Sequence, residues 1–420
     1  MSIHHEGTHT EVRLRKFPYP FVAALTLAND NDDIKTKDQF LALARFLNTG
    51  SDTPMGEGVG LEIGYGFWFF DPCDLSEFTV FAGAGGDLTE NAGVIEDFIR
   101  AGLIDCIHGY GHFGNGGFRR EHAVRALDYL SERELKLEVW VNHGGASNTH
   151  QIGAMSHQRG DDPGAEEYHT DLLLDHGVRF AEKYDLVHTV GQDTSPNLTD
   201  RGKQAFECLK YGILNNRWMA ASIFSNRLIE PYRLDDGQSL YSFKRFANRW
   251  GGLKRACTRE LAKQISRPVL DELAAKRGYM LVYTHLWRDF DYPQLMAPEA
   301  ARAIRHLAEQ YREGRIYVTT TRKLLTYNLV HRFLEWNAKR AGDETHINIS
   351  GVRDDVQGAW TPGLAELQGL TFYTDTPDRT RVFLKRREVG EIVKNPPDET
   401  GRPSVSIPRT YQTFPSKYRT

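Results

Sequence analysis

The sequence predicts an α/β protein, a barrel of parallel strands and helices followed by a small β-rich module. Between Phe21 and Asn328, short apolar runs rich in strand-forming residues alternate with longer helical patterns. Six or more such units within roughly 300 residues favour a (β/α) barrel over an open sheet. After Lys339 the pattern changes to short β-rich runs separated by Pro and Gly, which indicates a separate β module.

The predicted elements follow one another in order along the chain. The apolar runs predicted as strands are Phe21–Leu27, Leu103–His108, Leu137–His143, Leu186–Gly191, Tyr279–His285 and Ile316–Thr321. The periodic segments predicted as helices are Thr36–Phe46, Arg119–Leu130, Pro298–Arg312 and Lys323–Lys339. Strands that alternate with helices form βαβ units with parallel strands. We therefore expect the barrel in residues 1–340 and the β-rich module in residues 341–420, the latter ending in an extended tail.

Composition limits the classes of function. The 420 residues carry 52 Lys and Arg against 56 Asp and Glu, a net charge of −4, which argues against a nucleic-acid partner. The last 45 residues depart from this balance, with ten Lys and Arg and five Asp and Glu, so the tail is basic. We read this charge as a solvated surface rather than a binding site.

Several features indicate where the protein works. The first 20 residues are polar and have no apolar core of a secretory signal, and no run of about 18 apolar residues predicts a membrane span. The four cysteines form no CxxC pair, which is typical of a reducing compartment. The expectation is therefore a cytoplasmic protein of undetermined oligomeric state.

Polar side chains follow the predicted strands at the points where the strands end. In folds with parallel strands, ligands bind at the carboxyl ends. The side chains at these positions that can bind a metal or move a proton are Asp30, Asp32, His108, His112, Asn142, His143, Asp193 and His285. Their convergence predicts a site at this end of the barrel, although each residue alone could be an ordinary loop former.

His108 and His112 are spaced as HxxxH. On a helix this spacing would put both imidazoles on one face, but the glycines of this segment favour a turn or a late helix start. Two histidines with a carboxylate are a common ligand set for Zn²⁺, with one position left for water. Asp30 and Asp32 could supply that carboxylate, since residues two apart on a strand end point to the same side. The alternatives, loop histidines and a helix cap, stay open.

These motifs, AALTL-ANDND, IHGYGH and THLW, resemble those of the polysaccharide deacetylase superfamily (NodB homology, carbohydrate esterase family 4) over Phe21 to Thr326. The resemblance implies a distorted (β/α)7-type barrel and metal-dependent deacetylation. It implies that Asp30 is the catalytic base, that Asp32, His108 and His112 are the metal ligands, and that His285 is the general acid. The metal would be Zn²⁺, with Co²⁺, Ni²⁺ or Mn²⁺ as alternatives.

Three features differ from the family pattern. The family's first motif usually has adjacent acids, whereas Asp30 and Asp32 are spaced as DxD. The family's third motif offers an Arg that holds the base, whereas the corresponding strand end here reads Asn142-His143-Gly144-Gly145. Residues 67–86 are expected to lie outside the part of the fold that family members share. Within this segment, the aromatic run Phe67–Phe70 is expected to pack in the hydrophobic core rather than to form a substrate platform. Asn142, His143, Asp193 and Trp287 are the predicted substrate-binding residues.

The predicted function is the hydrolytic removal of an acyl (acetyl) group from an N-acetylated sugar or polysaccharide by a metal-activated water. One alternative is an amidohydrolase acting on a small C–N substrate related to ureides or nucleotides. Another is a glycan-binding homologue without catalysis.

Overall fold

The computed structural model describes residues 12–31, 33–75, 78–153, 155–213, 225–287, 294 and 296–419. The chain forms two compact units, each discontinuous in sequence. The barrel unit consists of residues 23–325 and 411–420, and the β unit of residues 1–22 and 326–410. The predicted boundary at residue 340 differs from this division. Residues 1–22 belong to the β unit, and residues 411–420 belong to the barrel unit.

The barrel unit is built on a closed ring of seven parallel strands. With strands numbered in chain order, this unit contains β2 (Ala23–Asn29), β3 (Asp52–Thr53), β4 (Gly56–Glu57), β5 (Tyr65–Phe70), β6 (Thr79–Phe81), β7 (Ile104–His108), β8 (Val139–Val141), β9 (Phe180–Val187), β10 (Ile229–Arg233), β11 (Ser239–Phe246), β12 (Tyr279–Thr284) and β13 (Ile316–Val318). The ring runs β2-β12-β11-β9-β8-β7-β5 and closes between β5 and β2. The predicted α/β barrel with parallel strands is therefore confirmed.

Helices alternate with these strands. In chain order they are Lys37–Asn48, Ala92–Arg100, Arg120–Glu132, Thr170–His176, Leu198–Ile213, Leu261–Gln264, Arg267–Lys276, Pro298–Arg312 and Thr321–Phe333. The first helix begins where the sequence indicates, because Thr36 accepts a hydrogen bond from the Gln39 amide in a capping box. All seven residues of β2 are buried, as expected for a parallel strand covered on both faces.

The β unit contains two sheets. Its strands are β1 (Arg13–Arg15), β14 (Leu334–Ala341), β15 (Glu344–Asp354), β16 (Gly358–Trp360), β17 (Thr371–Tyr373), β18 (Thr380–Leu384), β19 (Arg387–Glu388), β20 (Val393–Asn395) and β21 (Ser404–Ser406). One sheet has the order β14-β15-β18-β19, with β16 on β15, and the other has the order β1-β17-β21-β20. The C-terminal segment predicted as an extended tail therefore contributes the inner strand β21.

Two predicted elements differ from the structure for physical reasons. The helix predicted to reach Lys339 ends at Phe333, because Leu334–Ala341 pairs with β15 in a hairpin. Its Ala, Lys and Arg residues favour helix locally, but pairing in the sheet overrides that preference. Residues 67–86 were expected to lie outside the fold shared by the family. They instead include most of β5, which closes the barrel.

Among the described helices, none combines the length and the apolar character needed to cross a membrane.

Candidate functional site

The carboxyl ends of the ring strands bring five of the predicted residues to one place. Asp30 follows β2, His108 ends β7, and His285 follows β12. His112 and His143 lie in the loops after β7 and β8. All five are connected through the contacts described below, so convergence at this end of the barrel agrees with the expectation from parallel strands. Asp32 lies outside the described residues.

Asp30 is the centre of the more highly charged half of this site. Its carboxylate is buried, and Oδ2 lies 3.0 Å from Nη1 of Arg245. The same oxygen is 3.8 Å from Nε2 of His108 and 4.0 Å from Nε2 of His285. We call Asp30, Glu182, Arg245 and His285 the carboxylate half. A single buried oxygen thus faces one permanent cation and two groups that can carry a proton.

Arg245 is held on several sides. Nη2 lies 3.3 Å from Oε2 of the fully buried Glu182, and the guanidinium lies over the Tyr283 ring at 3.9 Å from its centroid. Two buried carboxylates therefore share one guanidinium between them. A buried charge is stable only with such partners.

His285 has a defined orientation. Its Nδ1 donates a hydrogen bond of 2.8 Å to the carbonyl oxygen of Ala256, which leaves Nε2 on the side of Asp30. The next residue, Leu286, donates its amide to Oδ1 of Asn29 at 2.8 Å. This bond ties the end of β12 to the end of β2, so it fixes the position of His285 relative to Asp30.

The other half of the site consists of aromatic rings. Nδ1 of His112 lies 2.8 Å from Nε2 of His143, so one of these nitrogens is protonated and the other accepts. The ring centroids of His108 and His143 are 5.1 Å apart, and those of His112 and His143 are 5.0 Å apart. Trp68 of β5 contacts all three rings, with centroid distances of 4.8–6.2 Å. We call Trp68, His108, His112 and His143 the imidazole half.

The HxxxH segment is a turn, as its glycines predict. The helix that follows begins only at Arg120. Gly109 and Tyr110 have positive φ angles of 62° and 59°, and a Cβ on Gly109 would lie 3.1 Å from Cβ of His143. Glycine at position 109 therefore permits the close approach of the two histidine loops.

Two further histidines support this turn from behind. His150 donates from Nε2 to the carbonyl oxygen of Gly109, and His169 bonds the carbonyl oxygen of His150 at 2.8 Å. Both rings are fully buried. Burial lowers the pKa of His150 well below its usual value and that of His169 to about 4, so both are neutral supports at pH 7.

The remaining predicted substrate residues have other surroundings. The Asn142 side chain is buried and bonds Trp140 and Ile152, so it fixes the loop after β8. Trp287 is buried within the hydrophobic core. Asp193 lies beside Arg227 and Leu228, and its neighbour Gln192 pairs with Tyr279 at the amino end of β12.

The structure therefore does not bring Asp193 to the carboxyl ends of the strands. The predicted strand Leu186–Gly191 overlaps only the end of β9, which runs from Phe180 to Val187, and the chain has turned away before residue 193.

Sequence reasoning missed Arg245 and Trp68. Arg245 pairs with Asp30 as the family's motif arginine is expected to do, but it comes from β11 instead of the loop after β8. The signal was a basic residue inside the run SLYSFKRF, which otherwise alternates like a strand. Trp68 was assigned to the core with its neighbours, and its contacts with three site histidines depend on the position of β5.

The metal prediction can be compared with the structure in part. Among the described residues, no three His, Cys, Asp or Glu side chains are close enough together to hold one metal ion. His108 and His112 both lie against Trp68, and imidazole is a donor that Zn²⁺ favours. The donor chemistry of these two predicted ligands therefore suits Zn²⁺, and the third predicted ligand, Asp32, lies outside the described residues.

Comparisons with known proteins add little. No family model matches the chain, and no curated protein matches it. Among solved structures, the chain resembles the crystal structure of 4-alpha-glucanotransferase from Thermococcus litoralis, with 8% identity and a TM-score of 0.37. The match covers 72% of this chain and 40% of that chain. A likeness this weak carries no conclusion about function.

Proposed function

We propose that this protein hydrolyses the acetyl amide of an N-acetylated sugar, with Asp30 as the base and His285 as the acid. The observation that carries the proposal is the surroundings of Asp30, where one buried carboxylate oxygen faces Arg245, His108 and His285 within 4.0 Å. Amide hydrolysis needs a base for the attacking water and an acid for the leaving amine. These two groups lie on neighbouring strand ends here.

Asp30 would accept the proton of the attacking water at Oδ2. The positive charge of Arg245, 3.0 Å away, stabilises the ionised carboxylate and holds it in one orientation. Arg245 is a positioning residue in this scheme, because its contacts are with Asp30, Glu182 and Tyr283.

His285 would protonate the leaving amine from Nε2. Since Nδ1 donates to the carbonyl oxygen of Ala256, the imidazolium form of His285 would give up the proton on Nε2, which faces Asp30, and would become the neutral ring. The 4.0 Å between Nε2 and Oδ2 of Asp30 leaves both groups within reach of one reacting carbon.

His108 and His112, with Asp32, would hold the divalent cation, most simply Zn²⁺. When bound, such a cation supplies an acidified water and a Lewis acid for the carbonyl. The chain's own contribution on this side is to orient the imidazoles. His143 holds His112 through the 2.8 Å contact, and Trp68 packs against both ligands.

Metal content and acetate release test the proposal together. We expect acetate release from N-acetylated oligosaccharides that EDTA abolishes and Zn²⁺ restores. The His108→Ala,His112→Ala double variant should lose bound metal, measured by mass spectrometry of the purified protein. The control is the His122→Ala,His306→Ala double variant, which changes two histidines outside the site and should keep the metal.

The alternatives give different results in the same assay. Amine or ammonia release from small amides without acetate release from sugars would indicate an amidohydrolase. Sugar binding with no metal-dependent turnover would indicate a glycan-binding homologue. Unchanged metal content in the His108,His112 double variant would overturn the proposed ligands.

The cytoplasm remains the proposed location. It is supported by the sequence, in which the four cysteines form no CxxC pair, as is usual in a reducing compartment.

A further inference from the structure

A cavity opens beside the carboxyl ends of β9 and β11. It lies between the segment after β9, the helix Leu198–Ile213 and the short 3-10 helix Arg249–Gly251, and its empty space of about 280 Å³ includes open solvent at its mouth. The residues that determine its chemistry are His188, Thr189, Lys203, Gln204, Glu207 and Trp250. It is adjacent to the carboxylate half, because Leu186 of its wall is the register partner of Arg245.

The polar groups of this cavity offer both donors and acceptors. Glu207 is only 7% exposed, and its buried Oε2 has no hydrogen-bond partner among the described residues. Nδ1 of His188 donates to the carbonyl oxygen of Ala247 at 2.7 Å, and burial lowers the pKa of this histidine. With Nδ1 in this bond, Nε2 is the ring nitrogen that remains for a ligand. Lys203 adds a hydrogen-bond donor, and the amide of Gln204 adds both a donor and an acceptor.

A buried carboxylate oxygen without a hydrogen-bond donor is costly, so Oε2 of Glu207 indicates that the cavity receives a donor from a ligand. Sugar hydroxyl groups suit this set of residues because each hydroxyl both donates and accepts.

The rim of the cavity is aromatic and exposed. Trp250 is 44% exposed and Phe206 is 58% exposed, and their ring centroids lie 5.7 Å apart. A large exposed aromatic pair beside a cavity that holds a buried carboxylate is typical of a ligand-binding surface. The apolar face of a sugar ring could pack on Trp250 while its hydroxyl groups reach Glu207 and His188.

We infer that this cavity binds a second sugar residue of the substrate, next to the residue whose acetyl group is removed. The inference rests on the proposed function for the substrate class, and on Glu207, His188 and Trp250 for the subsite itself. It implies that the enzyme acts on an oligosaccharide in preference to a monosaccharide.

The test compares N-acetylglucosamine with its β1,4-linked dimer and tetramer. Trp250→Ala removes a packed ring, and Glu207→Gln removes a hydrogen bond to a charged group. Each should therefore raise KM for the dimer about tenfold. KM for the monosaccharide should change less than about twofold, and Trp250→Phe should restore most of the loss. Tyr411→Ala, which removes another exposed aromatic ring of the barrel unit, is the control.

Binding is measured separately by saturation-transfer NMR, which needs no turnover. Binding of the dimer that depends on Trp250, without acetate release, would support the subsite and overturn the proposed function. If acetate is released but KM for dimer and tetramer is unchanged in Trp250→Ala and Glu207→Gln, the subsite is overturned. The proposed function is then left intact. Absence of both binding and turnover for all three sugars would overturn both.

Discussion

The two halves of the site at the carboxyl ends of the strands are held together differently. In the carboxylate half, Arg245 lies within 3.3 Å of oxygens of two buried carboxylates. In the imidazole half, the histidines are held by ring contacts with Trp68 and by the bond between His112 and His143. The first half is therefore fixed mainly by charge and the second mainly by ring packing and hydrogen bonds. The His108–Asp30 approach of 3.8 Å joins them.

This difference suits the two tasks that we propose. A base must keep its charge and position, which a buried guanidinium enforces. Metal ligands must keep neutral nitrogens available as donors, which aromatic packing allows without adding a competing cation. Each of the following predictions except the last changes one half or its support and leaves the other half as its internal control.

The largest expected effect follows from Asp30→Asn. This change removes the proton acceptor of the carboxylate half, so kcat for acetate release should fall about 10²- to 10⁴-fold. Bound metal, measured by mass spectrometry, should remain because the imidazole half is untouched. A kcat within tenfold of the wild type would exclude Asp30 as the base.

Arg245→Met should give the largest loss of stability. It leaves Asp30 and Glu182 buried without their shared cation, and breaking a buried ion pair from one side costs about 3–5 kcal/mol. The free energy of unfolding is measured by urea denaturation at pH 7.

The matched control is Arg120→Met, which breaks a partly exposed pair with Asp171 worth about 0.2–1 kcal/mol. Adding Glu182→Gln to Arg245→Met should recover part of the loss. Equal losses for Arg245→Met and Arg120→Met would contradict the charge-based account of the carboxylate half.

Lowering the pH should reduce the free energy of unfolding through His169, which supports the imidazole half. The pKa of His169 is about 4 in the fold and about 6.5 when unfolded, so the unfolded chain takes up its proton first as the pH falls. The stability that depends on neutral His169 is complete above pH 6.5 and declines as the pH falls toward 4. The linkage relation gives a loss of about 3 kcal/mol across this range.

The measurement is the difference in unfolding free energy between the wild type and His169→Gln at several pH values. Burial also raises the pKa of Asp105 and of Asp161 to about 6, and these carboxyls act in the opposite direction. Their contribution is common to both proteins and cancels in the difference. A difference that does not vary between pH 7.5 and pH 4 would contradict the prediction.

The smallest effect is expected for Asp193→Asn, which belongs to neither half. Its ion pair with the exposed Arg227 is worth less than about 1 kcal/mol, and asparagine tolerates the positive φ of this position. Steady-state kinetics should show kcat and KM within about twofold of the wild type, because surface substitutions away from a site have small effects. A large rise in KM would restore Asp193 as a substrate-binding residue.

The strands that sequence analysis predicted well hold at most one Asp, Glu, Lys or Arg. The limits predicted for Tyr279–Thr284 of β12 and Ile104–His108 of β7 are correct within one residue, and Asp105 is the one carboxyl in these two strands. Most of β9 and all of β11 were missed because they contain Glu182, Lys244 and Arg245. Charged residues in a run indicate a solvated face, unless a partner inside the barrel neutralises them.

The sequence by itself determined the alternation of strands and helices and the strand-end positions of Asp30, His108, His112, His143 and His285, because both are local patterns. Tertiary structure alone decided that Arg245, 215 residues away in sequence, pairs with Asp30. It also decided that β5 closes the ring with Trp68 against three histidines. These contacts depend on strand order and register around the ring, which no local preference encodes.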